Sequence, residues 1–356
     1  MIVHAKLMNP SFAIIQIVKG SIMKNQTLAQ FLHGQQRQDN QLNPDIGQLM
    51  TDIANACKHI AVAVRTGALH GNMGSLDSEN VQGETQKQLD VIANDIFLQM
   101  NVSSGLYAGM ASEELEDPYA IPDAYVRHGK YLLLFDPLDG SSNVDVNIAV
   151  GTIFSILRCD EGIKNPALKD FLQPGTAQIC AGYACYGSST MLVFTTGQGV
   201  DGFTLDTEAD EFLLTHPCMQ IPADTNEFAI NMSNCKSWDG VVTRYIEECL
   251  CGMNGVRGKQ FNMRWVGSMV AEVHRILVRG GIFLYPLDSK NKMKGGRLRL
   301  MYEANPMSFI IEQAGGMSVS GADRIMALIP DALHQRVPVI MGSHNEVDRI
   351  HRYYLE

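Results

Sequence analysis

The run Phe135-Asp136-Pro137-Leu138-Asp139-Gly140-Ser141-Ser142-Asn143 concentrates residues able to do chemistry. It ends the unbroken apolar segment 132–135, which reads as a strand buried on both faces. Two carboxylates at the mouth of such a strand are costly to desolvate unless something offsets their charge. A hard divalent cation such as Mg²⁺ does so through carboxylate and carbonyl oxygens, and with Pro137 stiffening the turn the Leu138 carbonyl can join the two Asp side chains. Gly140, Ser141 and Ser142 then offer amide and hydroxyl donors suited to a phosphate. Taken alone, the pattern is also that of a common surface turn.

Other acids could complete such a centre. Ala111-Ser112-Glu113-Glu114 places two acids after small residues, and Glu303 closes Leu298-Arg299-Leu300-Met301-Tyr302-Glu303 before Ala304-Asn305-Pro306. Acidic pairs are usually solvated. Gathered around one strand end, they supply the carboxylates that two-metal phosphoryl transfer requires. Leu89, Ile92, Ile96 and Met100 mark a helix over residues 84–100. Glu84 and Asp90 do not share its face, so at least one belongs to the loop leading into it. The basic stretch 290–299 reads as a solvated loop except for Arg297, whose position just before Glu303 favours a phosphate-facing role.

The elements that must position these residues are legible from periodicity. Leu49, Ile53, Ala56, Ile60 and Val64 follow a helical period after the capping signal Asn43-Pro44-Asp45. Strands follow at 131–135, 152–158, 178–186, 191–196 and 199–205, separated by glycine-rich turns. A strand at 228–231 and helices at 239–251 and 267–279 come next, the second helix stopped by Gly280-Gly281. The chain closes with a strand at 282–285, a helix at 306–313, a strand at 337–341 and a helix at 346–354. The hairpin-like middle argues against a purely parallel sheet. The pattern is that of a layered α/β (α+β) protein in two sandwich-like halves with a boundary near residue 220. Residues 1–22 read as an extension, 23–219 as the first domain and 220–356 as the second.

The 356 residues carry 38 acidic and 28 basic side chains, a formal charge of −10. With no Lys/Arg cluster beyond that one loop, this excludes a dedicated nucleic-acid or anionic-membrane binder. Any anionic substrate then needs metal ions or a local set of donors. Eight cysteines without a CxxC pair or a secretory signal read as buried free thiols of a cytoplasmic protein. The apolar segment 12–18 is too short to span a membrane. His59, His70 and His274 show no metal-ligand spacing and read as structural.

Taken together, these runs resemble class I fructose-1,6-bisphosphatase, within the superfamily of Mg²⁺-dependent, lithium-sensitive sugar and inositol phosphatases. The resemblance covers about residues 42 to 350. It also rests on Leu89-Asp90-Val91, Val266-Gly267-Ser268-Met269-Val270-Ala271 and Gly280-Gly281-Ile282-Phe283-Leu284-Tyr285-Pro286. It implies the sugar-phosphatase fold and hydrolysis of the 1-phosphate of fructose 1,6-bisphosphate, in gluconeogenesis or Calvin-type metabolism. Glu113, Asp136, Asp139, Glu303 and the Leu138 carbonyl would hold two or three Mg²⁺, or Mn²⁺. Asp90 and Glu114 would position and deprotonate the attacking water, with Glu84 where the family has a loop aspartate. Ser141 and Ser142, beside Asp139 and Gly140, would hold the scissile phosphate. Asn231, Arg264, Tyr285 and Arg297 would hold the sugar and the 6-phosphate, with Arg264 reaching in from a neighbouring subunit of a homo-oligomer, a tetramer by analogy.

The departures from the family pattern are specific. Trp265 and Asn234 replace tyrosines, and Arg297 replaces a lysine and can grip phosphate through two parallel bonds. The Asn-Met-Arg-Trp run resembles a bacterial branch, some members of which also take sedoheptulose 1,7-bisphosphate. Lys130, Tyr131 and Arg158 match an allosteric AMP site, but Pro44 removes one amide donor from the element that would meet the AMP phosphate. From a different class, a non-catalytic regulatory paralogue would bind sugar phosphate without turnover. The acid retained at every catalytic position argues for the enzyme.

Overall fold

The computed structural model describes residues 26–37, 42–67, 69–71, 75–79, 85–125 and 129–356. The expectations for residues 1–22 and for Glu84 lie outside the described residues. An eight-stranded sheet is built from Tyr107–Ser112 (β1), Tyr119–Ala120 (β2), Tyr131–Asp139 (β3), Val150–Arg158 (β4), Cys180–Tyr186 (β5), Thr190–Thr195 (β6), Asp201–Asp206 (β7) and Glu211–His216 (β8). Its order is β8-β7-β6-β5-β4-β3-β1-β2. Neighbours are antiparallel except β1 and β3, which run parallel.

Helices Leu28–Arg37 (α1), Pro44–Thr66 (α2) and Gln88–Val102 (α3) cover one face of this sheet. Alternation sorts the central strand: Leu133 and Phe135 of β3 pack with Phe97 of α3 in that core, while Leu132 and Leu134 join Phe171 and Tyr302 in another. A second, five-stranded sheet comprises Glu227–Ala229 (β9), Asn262–Met263 (β10), Ile282–Tyr285 (β11), Met317–Val319 (β12) and Val339–Gly342 (β13), in the order β10-β9-β11-β13-β12. Its helices are Gly240–Leu250 (α4), Met269–Arg279 (α5), Asn305–Gln313 (α6) and His344–Leu355 (α7).

The apolar face of α5 and α6 lies between the two sheets, against Ile153 and Tyr183 of the first and Phe283 and Met341 of the second. On the far face of the second sheet, α4 and α7 pack over Phe228, Ile282, Leu284 and Ile340. The layers therefore alternate helix, sheet, helix, sheet, helix, the layered α/β class expected from the sequence. Among the described residues no helix is long and apolar enough to cross a membrane.

Several elements differ from the sequence reading. The helix expected over 84–100 begins at Gln88, after a short strand Thr85–Lys87, which places Asp90 in its first turn. The fully buried strand β1 was not legible because Ala108, Gly109 and Ala111 lack the β-branched and aromatic signature. Small residues are required there: a Cβ on Gly109 would fall 2.8 Å from the Pro166 ring and 3.0 Å from Phe171. All eight cysteines are free, but Cys218, Cys235 and Cys251 are exposed rather than buried. His274 is half-buried, meets the Tyr183 hydroxyl at 2.8 Å, and desolvation pushes its pKa down to about 4.

Candidate active site

Strand register assembles the acids. Parallel pairing sets Ser112 opposite Phe135, so Glu113 leaves β1 beside the carboxyl end of β3, and its amide donates to the Phe135 carbonyl at 3.0 Å. On the other edge, Asp136 faces Ile153 and Asp139 faces Gly151, three steps along β3 against two along β4. Residues three apart in a regular strand point to opposite faces; the extra residue of this bulge brings them to one side. The Leu138 amide donates to Asp136 Oδ1 at 2.9 Å, and the Thr152 hydroxyl to the Pro137 carbonyl at 2.8 Å, fixing the bulge.

Glu303 arrives on a π-helical turn, Leu300–Ala304, that opens directly into α6. The Arg299 amide donates to Glu303 Oε2 at 2.6 Å. One carboxylate oxygen from each of Asp136, Asp139 and Glu303 lies within 4.8 Å of the others. Burial raises all three pKa values. Asp136 is pushed well above the carboxylate range by burial and by the neighbouring Glu113, Asp139 and Glu303. Burial takes Glu303 to about 8 against the pull of Arg299, and Asp139 to about 6 against hydrogen bonds from Val270 and Ser268. Buried, mutually repelling carboxylates offering only oxygen donors fit a hard divalent cation.

These acids line a cleft of about 620 Å³. Asp90, in the first turn of α3, accepts the Lys87 amide on Oδ2 at 2.8 Å, and burial raises its pKa to about 6. Glu114 and Leu138 share that wall. At its floor Gly140 takes φ 77°, a left-handed conformation suited to glycine, and starts the short turn Ser141–Val146. Facing it, Trp265 stacks on Phe283 (ring centroids 5.9 Å apart, 9° between planes) and tilts against Tyr285, whose hydroxyl bonds Arg297. Asn231 also reaches the cleft.

The sequence of this fold and the contents of its cleft can be set beside known proteins. The family model for "Fructose-1-6-bisphosphatase, N-terminal domain" matches residues 26–217, and that for the C-terminal domain matches residues 221–355. The chain belongs to the fructose-1,6-bisphosphatase family. A crystal structure of Leishmania major fructose-1,6-bisphosphatase in holo form is similar at 38% identity and a TM-score of 0.86, covering 93% of this chain and 99% of that one. As a member of the fructose-1,6-bisphosphatase family, the chain is a phosphoric monoester hydrolase.

Most residues singled out from the sequence meet in the cleft, but four do not. Arg264 points elsewhere, half exposed, with Nε 3.7 Å from Glu227. Lys130, Tyr131 and Arg158 lie away from it at the start of β3 and the end of β4, where Asp45 accepts from Lys130 at 3.3 Å and from the Tyr131 hydroxyl at 3.2 Å. Glu113 stands beside the acidic trio, its carboxylate 2.6 Å from the buried Arg299 guanidinium. Sequence reasoning missed Arg299, which looked like part of a solvated basic loop. It also missed Lys87, whose ammonium pairs with Asp145 at 2.6 Å at the cleft's edge. No local pattern marks either; each is placed by a partner remote in sequence.

Proposed function

We propose that the cleft hydrolyses the 1-phosphate of fructose 1,6-bisphosphate, giving fructose 6-phosphate and phosphate, with Mg²⁺ held by Asp136, Asp139 and Glu303 and with Glu113 and the Leu138 carbonyl beside them. One observation carries this reading: the buried acidic trio and the Arg297, Tyr285 and Trp265 wall line the same cleft. One phosphate can react at the acids while a second anionic group is gripped at the wall. Asn231 and the aromatic faces then border the sugar. Ser141, Ser142 and the amides after Gly140 hold the reacting phosphate.

Asp90, with Oδ2 engaged by the Lys87 amide and a pKa of about 6, is suited to take a proton from the attacking water, and Glu114 stands on the same wall. Arg299 offsets the negative charge of Glu113 and Glu303. When bound, the divalent cations supply Lewis acidity toward that water and the phosphoryl oxygens. We read residues 23–219 and 220–356 as the two halves meeting here, and the role as cytoplasmic sugar-phosphate metabolism. Phosphate release from fructose 1,6- and sedoheptulose 1,7-bisphosphate, measured side by side with Mg²⁺, Mn²⁺ or chelator, tests the reading. Metal-dependent release from the six-carbon substrate is expected. Release from neither, or release undiminished by chelator, would overturn it.

Arg264 supports a homo-oligomer, with a tetramer as the proposed form. Its side chain leaves its own cleft and pairs loosely with Glu227, the posture of an arm offered to a neighbouring copy's substrate. Arg264→Ala should raise KM for the bisphosphate about tenfold or more, the worth of a charged hydrogen bond, with kcat nearly kept. Mixing this variant with Asp139→Asn subunits should then recover activity, which a cleft complete within one subunit would not show.

AMP control is proposed to be weak or absent. An anionic effector at Lys130 and Tyr131 has to displace Asp45, whose carboxylate already holds both. Titrating AMP into the assay should leave the rate unchanged; inhibition with Asp45 in place would contradict this.

A further inference from the structure

The amino end of α5 meets the acidic cluster directly. Ser268 caps this helix and donates its hydroxyl to Asp139 Oδ2 at 3.0 Å, and the Val270 amide donates to the same oxygen at 2.8 Å. Ser268 is 1% exposed and Val270 is fully buried. Gly140 packs against the same point, where a Cβ would fall 2.8 Å from Ser268 Cβ and 2.9 Å from its Oγ. The helix's first turn is also tied from the other side. Glu272, fully buried, accepts the Val266 amide at 2.6 Å and is held by Arg275 at 2.9 Å. The Ser268 hydroxyl is thus presented in one direction by a turn that cannot easily shift.

From this geometry we propose that Ser268 is a positioning residue for divalent-cation binding. Its hydroxyl, with the Val270 amide, fixes the rotation of the Asp139 carboxylate so that the cluster is assembled before a cation arrives. Groups that orient a metal ligand from behind are typically worth about 10–100-fold in metal affinity. Because α5 is packed between the two sheets while Asp139 closes β3 of the first, the contact also ties the acidic wall to the segment bearing Trp265. The inference rests on Asp139 being a cation ligand.

Calorimetric titration of Mg²⁺ into the full chain without substrate tests it. Ser268→Ala should bind Mg²⁺ about 10–100-fold more weakly than wild type. Asp239→Ala, which removes the equivalent cap bond to Val242 (2.8 Å) at α4, should bind as wild type does. On an Asp139→Asn background, Ser268→Ala should cause no further loss, since the two act through one contact. In kinetics, the Ser268 variant should raise the Mg²⁺ concentration for half-maximal rate while leaving KM for the bisphosphate at saturating Mg²⁺ little changed. Should Ser268→Ala fail to fold, Ser268→Cys, close in size but a weak donor, carries the same expectation. Wild-type affinity in the Ser268 variant, or an equal loss in Asp239→Ala, would overturn the inference. A wild-type chain that binds no Mg²⁺ would instead remove the metal reading, and this inference with it.

Discussion

Glu303→Gln is expected to lower Mg²⁺-dependent phosphate release by about a hundredfold to a thousandfold or more, the range seen when a preorganised electrostatic group is removed from a reacting centre. The amide keeps the shape of the carboxylate and can still accept the Arg299 amide, so the loss isolates charge from packing. A stability measurement separates this from misfolding, and its sign is fixed by linkage. Glu303 is raised from the ordinary 4.5 to about 8 in the metal-free fold, so the folded state holds a proton that the unfolded chain releases. That contribution is fully present below about pH 4.5 and is lost as pH rises toward 8. The Gln variant escapes this loss and should melt above wild type in metal-free buffer at mildly alkaline pH while being inactive. Near-wild-type turnover would contradict the assignment of the cluster.

The largest stability effect is expected far from the cleft. Glu346, buried at the start of α7, accepts the Tyr245 hydroxyl at 2.8 Å and the Lys259 ammonium at 3.0 Å, and is bound by the guanidinium of Arg257, itself buried over the Phe261 ring. Removing one partner of such a pair strands the other charge, at about 3–5 kcal/mol. Glu346→Ala should lose about that much in a urea-denaturation comparison near neutral pH. Burial raises the Glu346 pKa, but Arg257, Tyr245 and Lys259 outweigh it and hold the group below its ordinary 4.5. Its stabilisation is therefore present above about pH 4.5 and lost as pH falls through the folded-state value, so the gap between variant and wild type should narrow in acid. A gap that widens in acid would mean the carboxylate is not the anchor.

What could be read from the sequence depended on whether a residue's role is set locally. Asp136 and Asp139 stood out because charge follows an unbroken apolar strand, and Gly140 because, with the two serines after it, it offers donors suited to a phosphate. Glu303 was visible through its position before Asn305-Pro306, although the π-helical turn that aims it was not. Arg299 is 5% exposed in the fold because it sits on a short strand paired with Arg336–Val337 and reaches Glu113, neither of which is its sequence neighbour. Ser268 was read only as part of the helix 267–279, and its bond to Asp139 exists only once α5 packs against the first sheet. Strand β1 was hidden by residues chosen for smallness rather than for strand propensity. Acidic chemistry at strand ends was legible, whereas the groups that neutralise and orient it come from distant parts of the chain. The excess of acid, −10 overall, is thus partly drawn inward into a buried cluster that favours cations.

The most direct test is ³¹P NMR of fructose 1,6-bisphosphate incubated with the wild-type chain and Mg²⁺. Inorganic phosphate should grow in step with fructose 6-phosphate alone if, as proposed, the acids meet the 1-phosphate while Arg297 and its aromatic wall hold the 6-phosphate. Fructose 1-phosphate as the product, or an unchanged spectrum, would contradict the account.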